Sequence, residues 1–171
     1  MPKPKSNEYP EYFGNYINQV TEENLNEAFA NQSTSGKSFL ENIPSEKWDY
    51  AYAEGKWTVK ELVQHLIDTE RIFAYRALCF ARGEKTSLPS FEEDDYAIKS
   101  YANKRTPSEL IQEYHSVRNS IELLFNSFTD DMLQEIGVAN NKPTSVLSIG
   151  FIMVGHFNHH KRILEQRYFN G

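Results

Sequence analysis

The stretch Ser145–Tyr168, SVLSIGFIMVGHFNHHKRILEQRY, decides how the rest of the 171-residue chain is read. Its first half is apolar nearly all round, as expected of a helix packed on several sides. His156 and His160 are spaced i, i+4, so on a helix they stand one turn apart on the same face. Ile149, Met153 and Leu164 fall on that stripe at helical spacing. Two imidazoles on a core-facing stripe each need a partner, because a buried polar group left unsatisfied is costly. A shared metal ion would satisfy both, and hydrogen bonding without a metal is the ordinary alternative. A third nitrogen ligand elsewhere in the chain is what would separate the two.

Upstream, the clearest start signal is Thr58-Val59-Lys60-Glu61, a capping box in which Thr58 accepts from the Glu61 amide and Glu61 reaches back. Trp57 and Leu62 are placed as its hydrophobic staple. The helix that follows carries Leu62, Val63, Leu66, Phe73, Ala74 and Ala77 on one face, with Gly83 as its stop and His65 at the edge of the stripe. Thr106-Pro107-Ser108-Glu109 is a second capping box with proline at the favoured first position. It opens a helix with an apolar face of Leu110, Ile111, Tyr114, Val117, Ile121, Leu124, Phe125 and Phe128. A further helix is expected from Thr21 through Leu25, Ala28, Phe29, Gln32, Phe39, Leu40 and Ile43, ending at Pro44. The connection between Gly83 and Thr106 is too long for a tight turn and has a short helical pattern around Tyr96–Tyr101. Such a length suits a crossover that lets its flanking helices run parallel. Asp130 to Pro143 reads as a loop, and no stretch demands a sheet. The expected fold is all-α: a four-helix bundle over residues 21–171, preceded by an arm over residues 1–20 that frays at its start and carries a sticky helical segment around Tyr12, Phe13, Tyr16, Ile17 and Val20.

Hydrophobic residues at 39% and charged residues at 25% describe an ordinary globular domain, and the net charge of −6 gives no electrostatic basis for nucleic-acid binding. The lone cysteine, Cys79, forms no internal disulfide, suits a reducing compartment, and reads as a buried inert thiol. The first residues lack the apolar region of a secretory signal, and no window approaches the ~18 apolar residues of a membrane span. The expectation is a cytoplasmic protein acting on small molecules.

Of the five histidines, His65 is the candidate third ligand. If the helices bearing His65 and the His156/His160 pair are antiparallel, the start of one lies beside the end of the other, and the imidazoles fall at similar depth. His115 lies outside its helix's apolar face and is expected in solvent. His159 points ~100° away from His160 and reads as a surface or supporting residue. Three neutral imidazoles leave a divalent ion at least one open position, the composition of catalytic rather than structural sites. Such an ion polarises a substrate oxygen, lowers the pKa of bound water to ~7 in the zinc case, or binds a thiolate. Glu70 falls near the centre of the same helix's apolar stripe but ~140° round from His65. It is expected to pair with an inward arginine such as Arg76 or Arg167 rather than to ligate. Asp68 is expected in solvent. The run Glu92-Glu93-Asp94-Asp95 lacks the glycine and terminal glutamate of a calcium loop and reads as a solvated face. Tyr96 and Tyr101 reach over the site only if the crossover folds back that way.

The segments Lys56-Trp57-Thr58-Val59-Lys60-Glu61-Leu62-Val63-Gln64-His65-Leu66, Glu70-Arg71 and Arg76-Ala77-Leu78 resemble the DinB-like family of bacterial proteins. Leu88-Pro89-Ser90-Phe91 and the terminal Gly155-His156…His159-His160 resemble that family's loop and last helix. The resemblance runs from about Leu25 to Tyr168. It implies a four-helix bundle in up-down-down-up order with a long crossover between the second and third helices. It also implies a divalent metal, zinc or nickel, held by His65, His156 and His160, and it brings dimers among several members. Family activities divide between transfer of a low-molecular-weight thiol and metal-dependent hydrolysis or isomerisation. A non-catalytic metal-binding or stress-responsive bundle and an apolar-ligand binder stand beside the enzyme reading, and no residue is assigned a catalytic role.

Overall fold

Four long helices begin where side chains cap them. In the computed structural model, which describes residues 2–169, these are α1 (Leu25–Glu41), α2 (Val59–Ala81), α3 (Pro107–Asn126) and α4 (Val146–Ile163). Met1, Asn170 and Gly171, the outermost positions of the expected arm and bundle, lie outside the described residues. Both predicted capping boxes form. The Thr58 amide donates to Glu61 Oε2 at 2.8 Å while the Glu61 amide donates to Thr58 Oγ1 at 3.2 Å, and Thr106 and Glu109 repeat the exchange. Helix α2 stops at Gly83, whose φ of +81° suits a residue without a side chain. Helix α1 starts at Leu25 rather than Thr21. Asn24 Oδ1 accepts from the amides of Asn26 and Glu27, whereas the Thr21 hydroxyl turns to Glu22. Helix α4 runs on through a wider π-helical turn, Leu164–Tyr168.

The bundle is up-down-down-up: α2 and α3 run parallel because the crossover, with its short helix Glu93–Ser100, returns along the bundle. Helix α2 packs against α3 and α4, as does α1. Two apolar clusters fill the interior. One gathers Phe29, Phe73, Phe80, Phe125, Phe151 and their neighbours; the other gathers Leu40, Trp48, Leu62, Leu66, Leu110, Phe157 and Tyr168. Every helix also buries polar side chains that belong to neither cluster: Gln32 from α1, His65 and Glu70 from α2, Arg118 from α3 and His156 from α4.

The N-terminal residues are not a frayed arm. The Glu8 carbonyl accepts from the Ser145 amide at 2.9 Å and from the Ser148 hydroxyl at 3.2 Å, so the arm satisfies groups at the start of α4. Beyond it the short helix Glu11–Phe13 leads into Gly14–Ile17, which packs along α4, and Phe13, Ile17 and Val20 join the first cluster. This close approach requires Gly155, because a methyl group on its Cα would run into the Tyr16 carbonyl.

The segment before α4 departs from the expected loop. It holds a helical turn, Asp130–Gln134, and a hairpin of β1 (Ile136–Ala139) with β2 (Lys142–Ser145). Its two-residue turn, Asn140-Asn141, has positive φ at both positions, the twist that tight hairpins need and that asparagine tolerates. Leu88 of the crossover bonds on either side of Ala139, donating to the Val138 carbonyl and accepting from the Asn140 amide, both at 2.9 Å. The hairpin thereby holds Pro89–Phe91 against the bundle.

Candidate metal centre

Because α2 and α4 run antiparallel, the start of α2 brings His65 beside the end of α4, where His156 and His160 sit one turn apart. The Nε2 of His156 lies 3.1 Å from Nε2 of His65 and 3.0 Å from Nε2 of His160. Ring contacts hold these imidazoles in place. Trp57 packs on His65 at 4.8 Å, and Tyr16 stands edge-on to His156 at 5.3 Å. The Thr69 hydroxyl lies 3.5 Å from His65 Nδ1, one turn along α2. Asn158, inside the histidine run, accepts from Gln32 of α1 and donates to the Gln19 carbonyl, fixing the roll of α4 where His156 and His160 sit.

All three rings are held neutral. Burial lowers the His65 pKa to about 4, and burial reinforced by the neighbouring imidazoles puts His156 and His160 well below the usual histidine range. Neutral imidazole is the form that binds metal. The arrangement fits a cation better than it fits protons. His156 Nε2 faces two ring nitrogens but can carry one proton or one lone pair, so it cannot satisfy both neighbours. A tetrahedral zinc ion with Zn–N bonds of about 2.0–2.1 Å separates its nitrogen ligands by about 3.3 Å, close to the spacing found. His65, His156 and His160 are the cluster among the described residues able to hold a metal ion. As three ligands they leave a position open.

A cavity of about 180 Å³ ends at His156 and Thr69. Tyr12, Phe13 and Tyr16 of the N-terminal segment form one wall, and Phe73 and Phe91 another. Burial raises the Tyr16 hydroxyl above its usual range, so it is protonated and able to donate. Nothing in the sequence pattern pointed to this N-terminal wall or to the contribution of the hairpin.

The remaining candidates divide. His159 is half-buried against the rings of Tyr16 and His160, a supporting place. His115 is half-buried rather than solvated, its Nε2 enclosed without a hydrogen-bond partner. Glu70 pairs with Arg118 of α3, not with Arg76 or Arg167, which bond instead to the Pro89 carbonyl and the Tyr52 hydroxyl. Asp68 is half-buried and accepts from Gln64 at 2.9 Å. The run Glu92–Asp95 is exposed throughout, as expected, and Glu93 within it borders the cavity, where partial desolvation and its acidic neighbours raise its pKa. Tyr96 packs its ring at a tilt against Phe91, and Tyr101 is exposed; neither covers the histidines.

A four-helix bundle that closes three histidines around one point at the foot of a small cavity defines the class of protein. Residues 34–164 match the DinB superfamily model, and the chain belongs to that superfamily. A relative from Oceanobacillus iheyensis, named as a candidate metal-dependent hydrolase, is 25% identical over 146 residues, 83% of this chain and 84% of its own. YfiT from Bacillus subtilis, described as a probable metal-dependent hydrolase with an unusual four-helix bundle topology, superposes with a TM-score of 0.73 at 18% identity, over 98% of this chain and 92% of its own. A mycothiol-dependent maleylpyruvate isomerase superposes with a TM-score of 0.64 at 15% identity, over 80% of this chain and 57% of its own.

Proposed function

We propose that the chain is a metal-dependent enzyme acting on a small molecule, with a divalent ion, zinc or nickel, held by His65, His156 and His160, and that hydrolysis is its reaction. The gathering of three neutral imidazoles, with His156 Nε2 at 3.0 and 3.1 Å from the other two Nε2 atoms and all three ligand atoms within 4.8 Å of one another, carries this reading. The relative named as a candidate metal-dependent hydrolase, matched over most of both chains, supports it. When bound, the ion supplies Lewis acidity and an activated water. The chain's own groups do the rest. Thr69 reaches toward His65 Nδ1, aromatic rings wall part of the cavity, and Tyr16, its hydroxyl protonated, sets its ring edge-on to His156. Transfer of a low-molecular-weight thiol is the competing chemistry at the same site.

Metal analysis tests the ligand set. Protein prepared without a histidine tag is expected to bind about one divalent ion per chain, as one three-histidine site allows. His65→Ala and His156→Ala should each weaken binding by more than about 100-fold, the upper end of what losing a mere supporting partner costs. A His65→Ala protein that keeps full affinity removes the third ligand and the catalytic reading with it. Ester and amide hydrolysis abolished by chelator and restored by zinc or nickel supports the enzyme. Chelator-sensitive turnover seen only with added thiol moves the reaction to thiol transfer, and metal bound without turnover of either kind leaves a binding protein.

A further inference from the structure

Arg76 is a buried cation with no anion paired to it among the described residues. The residue is 8% exposed, Nη2 donates to the Pro89 carbonyl at 2.8 Å, and the guanidinium lies over the Phe73 ring at 5.5 Å. Among the described residues it takes part in no ion pair. The other buried arginine, Arg118, has Glu70 against it. An arginine does not shed its proton inside a protein, so Arg76 carries a full charge out of water without a counter-ion. Such a group is costly unless something arrives to pair with it.

It lines the cavity that ends at His156. Thr69, Phe73 and Arg76 follow one another at i, i+4 and i+7 on α2, so they share a face over about 10 Å of helix. Lys142 of the hairpin, which also forms no ion pair among the described residues, lines the same space. Glu93 is the lone carboxylate in the lining, and it forms no ion pair with Arg76. Two cations against one exposed acid leave the wall positive. The volume, about 180 Å³, is close to the ~150 Å³ of an apolar cavity that holds benzene, so the occupant is small.

We propose that this cavity binds a small carboxylate, with the Arg76 guanidinium holding the carboxylate group and the rest of the molecule extending along the aromatic wall toward His156. A guanidinium's planar fork matches a carboxylate in a bidentate pair. Phosphate shares that chemistry, but one fork and one exposed lysine offer few donors for its additional oxygens. The proposal deepens the functional reading by naming the substrate class, and it rests on that reading only for what happens at the histidine end.

Calorimetry with benzoate, and with benzamide as its uncharged counterpart, separates the two. On metal-free protein, benzoate is expected to bind at least tenfold more tightly than benzamide. Arg76→Met should abolish that preference and leave the unfolding midpoint unchanged or raised, because an unpaired buried charge has gone. Arg76→Lys, which keeps the charge but loses the fork, should retain part of it. Equal binding of the two probes to the unaltered protein, or no binding of benzoate, overturns the proposal without any variant having to fold. So does a benzoate preference that survives in Arg76→Met, and so does inorganic phosphate binding where benzoate does not. Because these measurements use metal-free protein, they stand if the metal reading fails. A benzoate preference that appears only after zinc is added places the anion on the metal and also overturns the Arg76 assignment.

Discussion

Replacing Arg118 with methionine is expected to destabilise the protein by about 3–5 kcal/mol, the loss found when one partner of a buried ion pair is removed. Arg118 and Glu70 are each 2% exposed, and the pair is shared with Tyr114, whose hydroxyl accepts from Arg118 Nη2 at 3.0 Å. Burial pushes the Glu70 carboxyl up to about 7, with Arg118 the main force opposing the rise. Without Arg118 that carboxyl rises further, and protonation becomes its escape from an uncompensated charge. The sign follows. A folded-state pKa raised above the unfolded value means that the native state binds more protons between the two. Stability is then fully present below the unfolded value near 4.5 and is lost as pH climbs through the folded value. Arg118→Met should therefore lose stability between pH 5 and 8 more steeply than the unaltered protein, by at most about 1.4 kcal/mol per pH unit for one proton. Removing all three polar groups together, as Glu70→Leu/Tyr114→Phe/Arg118→Met, should recover most of the loss, because an apolar replacement of a buried pair is often neutral or better. Denaturant unfolding at several pH values reads all of this. A single variant that loses less than about 1 kcal/mol at pH 8, the range of an exposed pair, would show that water reaches the pair and that the buried polar layer is not dry.

What was legible in the chain follows the range of the forces involved. The capping boxes at Thr58 and Thr106 were readable because each closes within one helical turn, and the structure forms both. The histidine cluster was readable because His156 and His160 share a turn and the long crossover fixes which helices run antiparallel. Glu70 announced itself as a carboxylate on an apolar stripe, but its partner was misassigned. Arg118 stands at i+4 from Tyr114 and three before Ile121, on the buried face of α3. The signal that marked Glu70 was therefore available a second time. The hairpin was also within reach, since Asn140-Asn141 follows an alternation of Ile136 and Val138 and asparagine tolerates the positive φ of such turns. The cavity was not. Its walls come from five separate parts of the chain, and Glu93 borders it from a run of acids that is solvated throughout. Which member of such a run borders the cavity depends on where Leu88 docks on the hairpin, a contact that local pattern does not encode.

Gly155→Ala is the second large effect expected, and its sign runs against helix propensity. In the interior of an exposed helix the change would gain about 1 kcal/mol. Here the added methyl meets the backbone of Tyr16, which cannot rotate away as a side chain would. Either α4 shifts against its neighbours, at the ~1–3 kcal/mol typical of overpacking, or the N-terminal segment comes off. Undocking exposes Phe13, Ile17 and Val20, each buried, at about 1.5–3 kcal/mol per side chain as an upper bound. The net loss should fall near 3 kcal/mol, between these limits. Gly150→Ala on the same helix is the comparison, since its methyl meets the side chains of Leu25 and Phe125, which can adjust, and it should cost less. Tyr12, Phe13 and Tyr16 wall the cavity, whereas the three histidines come from α2 and α4. Undocking should therefore speed hydrogen exchange and proteolysis across residues 11–20 and weaken retention of a small ligand, while metal affinity changes little. A Gly155→Ala protein as stable as the original, with the N-terminal segment still protected, would mean that the segment rides over α4 with room to spare and that the cavity is not sealed from that side. If instead metal is lost together with the segment, the Tyr16 ring against His156 is holding the ligand geometry as well as closing the wall, and the N-terminal segment belongs to the metal centre.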